Sequence, residues 1–159
     1  MMHRKGNSVF LKRVILAATV AVCTVGSAWA QSWTEPARGS QQRKDLMSAV
    51  RPIAEWQLGA PVQFVVNELR VSGDIAFAML QAQRPGGQPI DLEQTPGNAR
   101  GEMYVEDMDG ARFDVLYKKS GNMWVAVTWT LGATEAWWSW KPICDAFGPV
   151  IEDYCQYVE

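Results

Sequence analysis

The sequence is poor in the side chains that most often do chemistry. Its 159 residues include one histidine, His3, and three cysteines, Cys23, Cys144 and Cys155. With no histidine in the body of the chain, the commonest general base and the commonest zinc ligand are missing. Positive charge is not in excess either. There are 15 Lys and Arg against 17 Asp and Glu, and Arg4, Lys5, Lys12 and Arg13 all precede the first acid, Glu35. The part after Ala30 therefore holds 11 basic and 17 acidic side chains, a net charge of −6. That balance argues against a nucleic-acid binder, which needs a basic face for the phosphates.

What is there begins with an export pattern. A basic start is followed by an apolar run from Val14 to about Val25 and by the small-residue end Ala28-Trp29-Ala30. This is the composition of a secretory signal peptide, with cleavage expected after Ala30 and Gln31 as the new terminus. An uncleaved anchor is the rival reading, but Val14–Ala30 is 17 residues, at the lower limit for a spanning helix. A lipoprotein modified on Cys23 is disfavoured by the branched Val22 before it. The expectation is a periplasmic or secreted protein with no stable membrane anchor after cleavage. The remaining 129 residues suit one domain with one core. Cleavage leaves Cys144 and Cys155, an even pair that reads as one disulfide in an oxidising compartment. Ten intervening residues are too many for a CxxC redox site, and two thiolates supply half a zinc ligand set.

Residues 31–39 are polar, contain Pro36 and Gly39, and read as a mobile leader. From Ser40 to Leu58 the apolar Leu46, Ala49, Val50, Ile53 and Ala54 recur at three- and four-residue steps, the pattern of an amphipathic helix. Ser40 caps its start, Gly59 and Pro61 stop it, and Pro52 predicts a kink or two abutting segments. The period then changes to two. Val62, Phe64 and Val66 share one parity, Leu69 and Val71 the other, so one β-bulge between Val65 and Glu68 restores a single face. Ser72-Gly73-Asp74 is a turn, and Ile75–Ala82 is apolar on both faces, hence a central strand. Gln83–Gly101 is a connector too rich in Pro and Gly for either period. Three further strands are expected, at about Glu102–Met108, Ala111–Lys119 and Met123–Thr130, with turns at Asp109-Gly110 and Ser120-Gly121-Asn122. In the last, Met123, Val125, Val127 and Trp129 alternate with Trp124, Ala126, Thr128 and Thr130. The Cys144–Cys155 segment reads as one or two short helical turns interrupted at Gly148-Pro149. The fold class is α+β: one N-terminal helix on a curved antiparallel meander of about five strands, with a disulfide-stapled tail, residues 40–159 forming one domain.

The phrase Leu69-Arg70-Val71-Ser72-Gly73-Asp74-Ile75-Ala76, and the stretch Ala111–Val127 with Ser120-Gly121-Asn122-Met123-Trp124-Val125, resemble the strand pairs of small cystatin-like and NTF2-like domains. The resemblance covers about Ser40–Thr130 and leans to the simpler cystatin-like arrangement, as in small exported bacterial proteins of this architecture. It implies a helix laid across a sheet. Such folds host binding proteins, inhibitors and isomerases alike, so function has to come from the residues.

Glu106, Asp107 and Asp109 suggest calcium, but a loop counted from Asp107 places Ala111 and Lys118 where oxygen ligands are required, so a solvated turn is expected. An enzyme resembling the ketosteroid isomerases would draw a carboxylate base and a phenol from Asp114, Tyr104 and Tyr117, yet Asp114 is out of phase with Tyr117. Trp137, Trp138 and Trp140, with Trp124 and Trp129, either anchor the tail over the sheet or form an exposed aromatic patch. Arg84 and Arg100 bracket the connector, a loop of a length that is often functional. These residues point to an exported binding module that meets an envelope protein, a glycan or a small apolar ligand. Its expected surfaces are the concave sheet face, the connector and the Trp137–Trp140 segment, and no cofactor or metal is called for. The alternatives are an isomerase-like enzyme with a carboxylate base and an inhibitor of an envelope or host hydrolase.

Overall fold

A computed structural model describes residues 32–156. The expected signal peptide and its cleavage after Ala30 lie outside the described residues. Helix α1 (Gln41–Leu58) starts where Ser40 Oγ accepts the Arg43 N–H at 3.3 Å and ends at Gly59, whose φ of 77° only glycine adopts without strain. Leu46, Val50, Ala54 and Leu58 form its buried stripe. The helix is one element through Pro52, where a kink or two abutting segments were expected. Pro52 and Ser48 both lie on the solvent side, so the Ser48 carbonyl left without its helical partner meets water instead.

Strands β1 (Gln63–Ser72), β2 (Ile75–Gln83), β3 (Arg112–Ser120) and β4 (Met123–Leu131) form an antiparallel sheet in the order β1-β2-β3-β4. The β1–β2 register shifts between Val66 and Glu68, leaving Asn67 as the extra residue, so Phe64 and Val66 share a face with Leu69 and Val71 as the parity break predicts. A second shift, not foreseen, makes Val127 the extra residue of β4, since Leu116 pairs with Thr128 and Tyr117 with Ala126. Trp124 and Ala126 therefore join Trp129 and Leu131 against α1, and simple alternation of β4 is corrected.

The sheet has four strands, where about five were expected. In place of a strand, residues 102–108 carry a single 3-10 turn at Val105–Asp107. Met103, Val105 and Met108 all turn into the α1 core, and a spacing of two then three cannot be met by one face of a strand. The connector is likewise packed. Short helix α2 (Pro96–Ala99) lies on the end of α1 through Gly97, where a side chain would meet the Gln57 carbonyl oxygen at 2.8 Å.

The sheet is covered on both faces. Against α1 lie Ala76, Ala78, Leu80 and Ala82 of β2 with Phe113, Val115 and Tyr117 of β3. On the opposite face Phe77 and Leu116 are buried under Trp138, Phe147, Val150 and Ile151. Three of these belong to helix α3 (Lys141–Ile151), one 11-residue element where separate short turns were expected. Pro142 sits in its first turn, which tolerates proline, and Pro149 frees only the carbonyl of the exposed Asp145. Cys144 is bonded to Cys155, with Cα atoms 5.8 Å apart.

Arg70 joins the tail to the sheet and to the leader. Its buried guanidinium donates to Val150 O at 3.2 Å, pairs with Glu68 and Asp153, and lies between the rings of Trp33 at 4.7 Å and Tyr154 at 5.1 Å. Thr34 and Val71 exchange backbone hydrogen bonds of 2.9 Å, so the leader touches the outer edge of β1 at Thr34. Because the disulfide closes a short loop around α3, Cys144→Ser is expected to lower the unfolding free energy by about 3 kcal/mol. Urea denaturation of the oxidised protein and the variant checks this, and equal midpoints would refute it.

Candidate functional site

The residues singled out in the sequence disperse when folded. Arg84 closes the C-terminal end of α1: its guanidinium donates to Leu58 O at 2.6 Å, to Pro61 O at 3.1 Å and to Gly59 O, satisfying carbonyls that the helix leaves free. Arg100 lies 4.2 Å over the exposed Trp56 ring, donates to Trp56 O at 3.0 Å and forms paired 2.8 Å bonds to Glu102. Those bonds hold the Glu102 carboxyl down at about 2.

The tail tryptophans do not make one patch. Trp138 is 4% exposed and stacks on Phe77 at 5.4 Å and Tyr154 at 5.7 Å, whereas Trp140 is 63% exposed at the start of α3. Trp137 is half-buried, edge-on to Trp138. Trp124 and Trp129 pack with the α1 core. Neither sheet face is wholly free either, because α1 packs on one and the α3 segment on the other.

Asp114 and Tyr117 are both fully buried but on opposite faces, as their phase predicts. Tyr117 belongs to the α1 core, and burial raises its phenol above the ordinary range. Asp114 pairs with Met79 and Thr130 across the sheet, and Arg112 Nε approaches its carboxylate at 3.2 Å. Burial pushes the Asp114 carboxyl up, against the pull of Arg112. Tyr104 is exposed and lies outside the sheet. No base and phenol converge on one pocket from these three. Among the described residues, no group of three or more His, Cys, Asp or Glu side chains is placed to hold a metal ion, and no helix is long and apolar enough to cross a membrane.

Among the described residues, the two roomiest of three open clefts are the places where a ligand has room. One, of about 410 Å³, lies between the end of β4 and the 102–108 segment, with Gln57, Glu102, Tyr104, Asp107 and Trp129 in its walls. The other, of about 540 Å³, lies between the first turns of α1 and β1, and its walls carry Arg38, Arg43, Lys44 and Arg51 with no acid. Two of these cations are fixed. Arg43 Nη1 donates to Glu35 Oε1 and to Pro36 O, both at 3.0 Å. Arg51 donates to Val62 O and lies 5.4 Å over the Phe64 ring. Arg38 and Lys44 are exposed, and among the described residues neither has a carboxylate partner.

Sequence reasoning passed over these four residues. The signal was present: residues 38–51 hold four cations and one acid in a chain of net charge −2. On α1, Arg43, Met47 and Arg51 follow at four-residue steps and so share a face. What was invisible is that this face meets β1, because strand and helix are brought together only by the core.

Two measurements follow. Trp138→Ala is expected to cost about 3–5 kcal/mol as a core truncation, and Trp140→Ala less than about 0.5 kcal/mol; urea unfolding of both variants checks the division of the tail. Asp114 holds its proton more tightly folded than unfolded, so it makes stability fall as pH rises from the ordinary aspartate range through its raised folded value. Asp114→Asn removes that decline in a series of thermal melts across pH, and a variant profile with the wild-type slope there would refute the assignment. No protein-family model, no curated protein and no solved structure matches the chain.

Proposed function

We propose that the chain is an exported binding module that takes an anionic partner along the cleft between α1 and β1. The observation that carries this reading is the wall of Arg38, Arg43, Lys44 and Arg51, four cations of which Arg43 alone is paired to a carboxylate, that of Glu35, on a protein whose overall charge is negative. Like charges gathered on one wall repel one another, and the free pair, Arg38 and Lys44, lowers that repulsion only when an anion comes to it. The cleft is open and lies between a helix and a strand, with Arg43, Lys44 and Arg51 on the helix and Arg38 on the turn before it.

Export is supported by the sequence pattern of residues 1–30 and by the Cys144–Cys155 bridge, since disulfides persist in oxidising compartments. The cystatin-like arrangement is supported by the order of helix, hairpin, long connector and hairpin. An inhibitor of an envelope hydrolase is one form such a module takes. The isomerase-like alternative lacks comparable support, because Asp114 and Tyr117 lie on opposite faces of the sheet.

The test is titration calorimetry with poly-glutamate at low salt. Arg38→Glu together with Lys44→Glu is expected to weaken binding at least tenfold, about 1.4 kcal/mol, while changing stability by less than about 0.5 kcal/mol per site because both side chains are exposed. Equal affinities for the protein and this variant would overturn the reading.

A further inference from the structure

We infer that the partner enters this cleft as an added β-strand: an extended acidic peptide segment that pairs with the open half of β1, Gln63 to Asn67, and lays its carboxylates against Arg38, Arg43, Lys44 and Arg51. The inference rests on the anionic-partner reading above and adds how the partner is held.

β1 stands first in the sheet order, so one of its edges pairs with β2 and the other faces outward. That outer edge is divided. Toward its C-terminal end Thr34 exchanges two hydrogen bonds with Val71, and from Leu69 to Val71 the strand is buried. The leader then departs at Pro36, which has no N–H to offer a ladder. Beyond that point Gln63, Val65 and Asn67 are exposed, Val65 at 44%. Exposed strand edges ordinarily carry a charge, a proline or a covering element that blocks further pairing. Here the open half reads Gln63-Phe64-Val65-Val66-Asn67, with no charge and no proline, and among the described residues no strand pairs with its outer side. The bulge at Asn67 marks its inner end. Five residues of strand run roughly 16 Å, room for a peptide of similar length.

The chain's own leader is the template. Thr34 is strand-paired to this edge, and the next residue, Glu35, places its carboxylate 3.0 Å from Arg43. An antiparallel segment following the leader along β1 would present further carboxylates to the same wall. The cations stand on α1 and on the turn before it, beside the edge and not in it, so they attract an acidic strand without obstructing its backbone. Charge also selects among occupants. A second copy of this chain pairing through β1 would set four cations against four. A nucleic acid has no peptide groups to continue the ladder. Peptides recognised by strand addition draw affinity from backbone bonds and specificity from alternate side chains, and both elements are present here.

The experiment uses the oxidised protein, isotopically labelled, and three probes: a seven-residue peptide alternating glutamate with valine, the same peptide N-methylated at every residue, and a thymidine oligonucleotide of equal charge. Strand addition predicts that the first peptide slows hydrogen exchange of outward amides within Gln63–Asn67 and binds at least tenfold more tightly than the other two probes. Equal binding of the two peptides, with no slowing in β1, overturns strand addition while leaving the anionic cleft standing. Oligonucleotide binding as tight as the first peptide reassigns the cleft to phosphate and overturns the inference. Exchange protection of β1 that rises with protein concentration alone assigns the edge to a second copy. Failure of every acidic probe, poly-glutamate included, removes the anionic reading itself.

Discussion

The two apolar faces of β2 govern the rest of the structure. Ile75 to Leu80 contains no polar residue, so this strand leaves water only if the sheet is covered twice. The alanine face, Ala76 and Ala78, is shallow enough for α1 to lie close, and Leu46, Val50, Ala54 and Leu58 fill the space from above. Phe77 points the other way and needs its own cover, which the C-terminal segment provides with Trp138, Phe147, Val150 and Ile151. Burying a phenylalanine side chain is worth about 1.5–3 kcal/mol, and a short tail that has to fold back for that return is helped by two fasteners. The disulfide restricts the loop around α3, and Arg70 ties the far end of the tail to β1.

Arg70 explains why the outer edge of β1 is half closed. A buried cation is costly unless it is paired and hydrogen-bonded, and here carboxylates of Glu68 and Asp153, the Val150 carbonyl and the faces of Trp33 and Tyr154 surround the guanidinium, with Nε alone left without an acceptor. Holding Trp33 in place brings Thr34 onto the strand beside it. The same contacts reach no further than Glu68, so Gln63 to Asn67 stays open where the cations of α1 gather. Closure of one half of the strand and openness of the other are two results of one arrangement.

Parts of this were legible in the residues. The Asn67 bulge was readable because polar Asn67, Glu68 and Arg70 interrupt the apolar parity of β1. The Val127 bulge was not, because Trp124 to Val127 is apolar at both parities, and Thr128 beyond it continues the alternation that an unbulged strand would also show. The strand expected at 102–108 failed for a related reason: alternation in Met103-Tyr104-Val105 imitates a strand, whereas the third residue buried there, Met108, is off the period. α3 was underestimated because Gly148 and Pro149 weigh against a helix in isolation, and the burial of Phe147, Val150 and Ile151 against Phe77 outweighs them.

By itself the sequence determined the helix from its stripe and cap, the central strand from its double apolarity, and the disulfide from its pair of cysteines, because each depends on neighbours close along the chain. It also held the four cations, in one short stretch. Only the tertiary structure decided that Trp138 is core and Trp140 is not, that Arg84 and Arg100 serve the end of α1, and that the cations border an uncovered strand edge. Those outcomes depend on pairs far apart in sequence, such as Thr34 with Val71 and Arg70 with Asp153, and local pattern carries no term for a contact whose partner has yet to arrive.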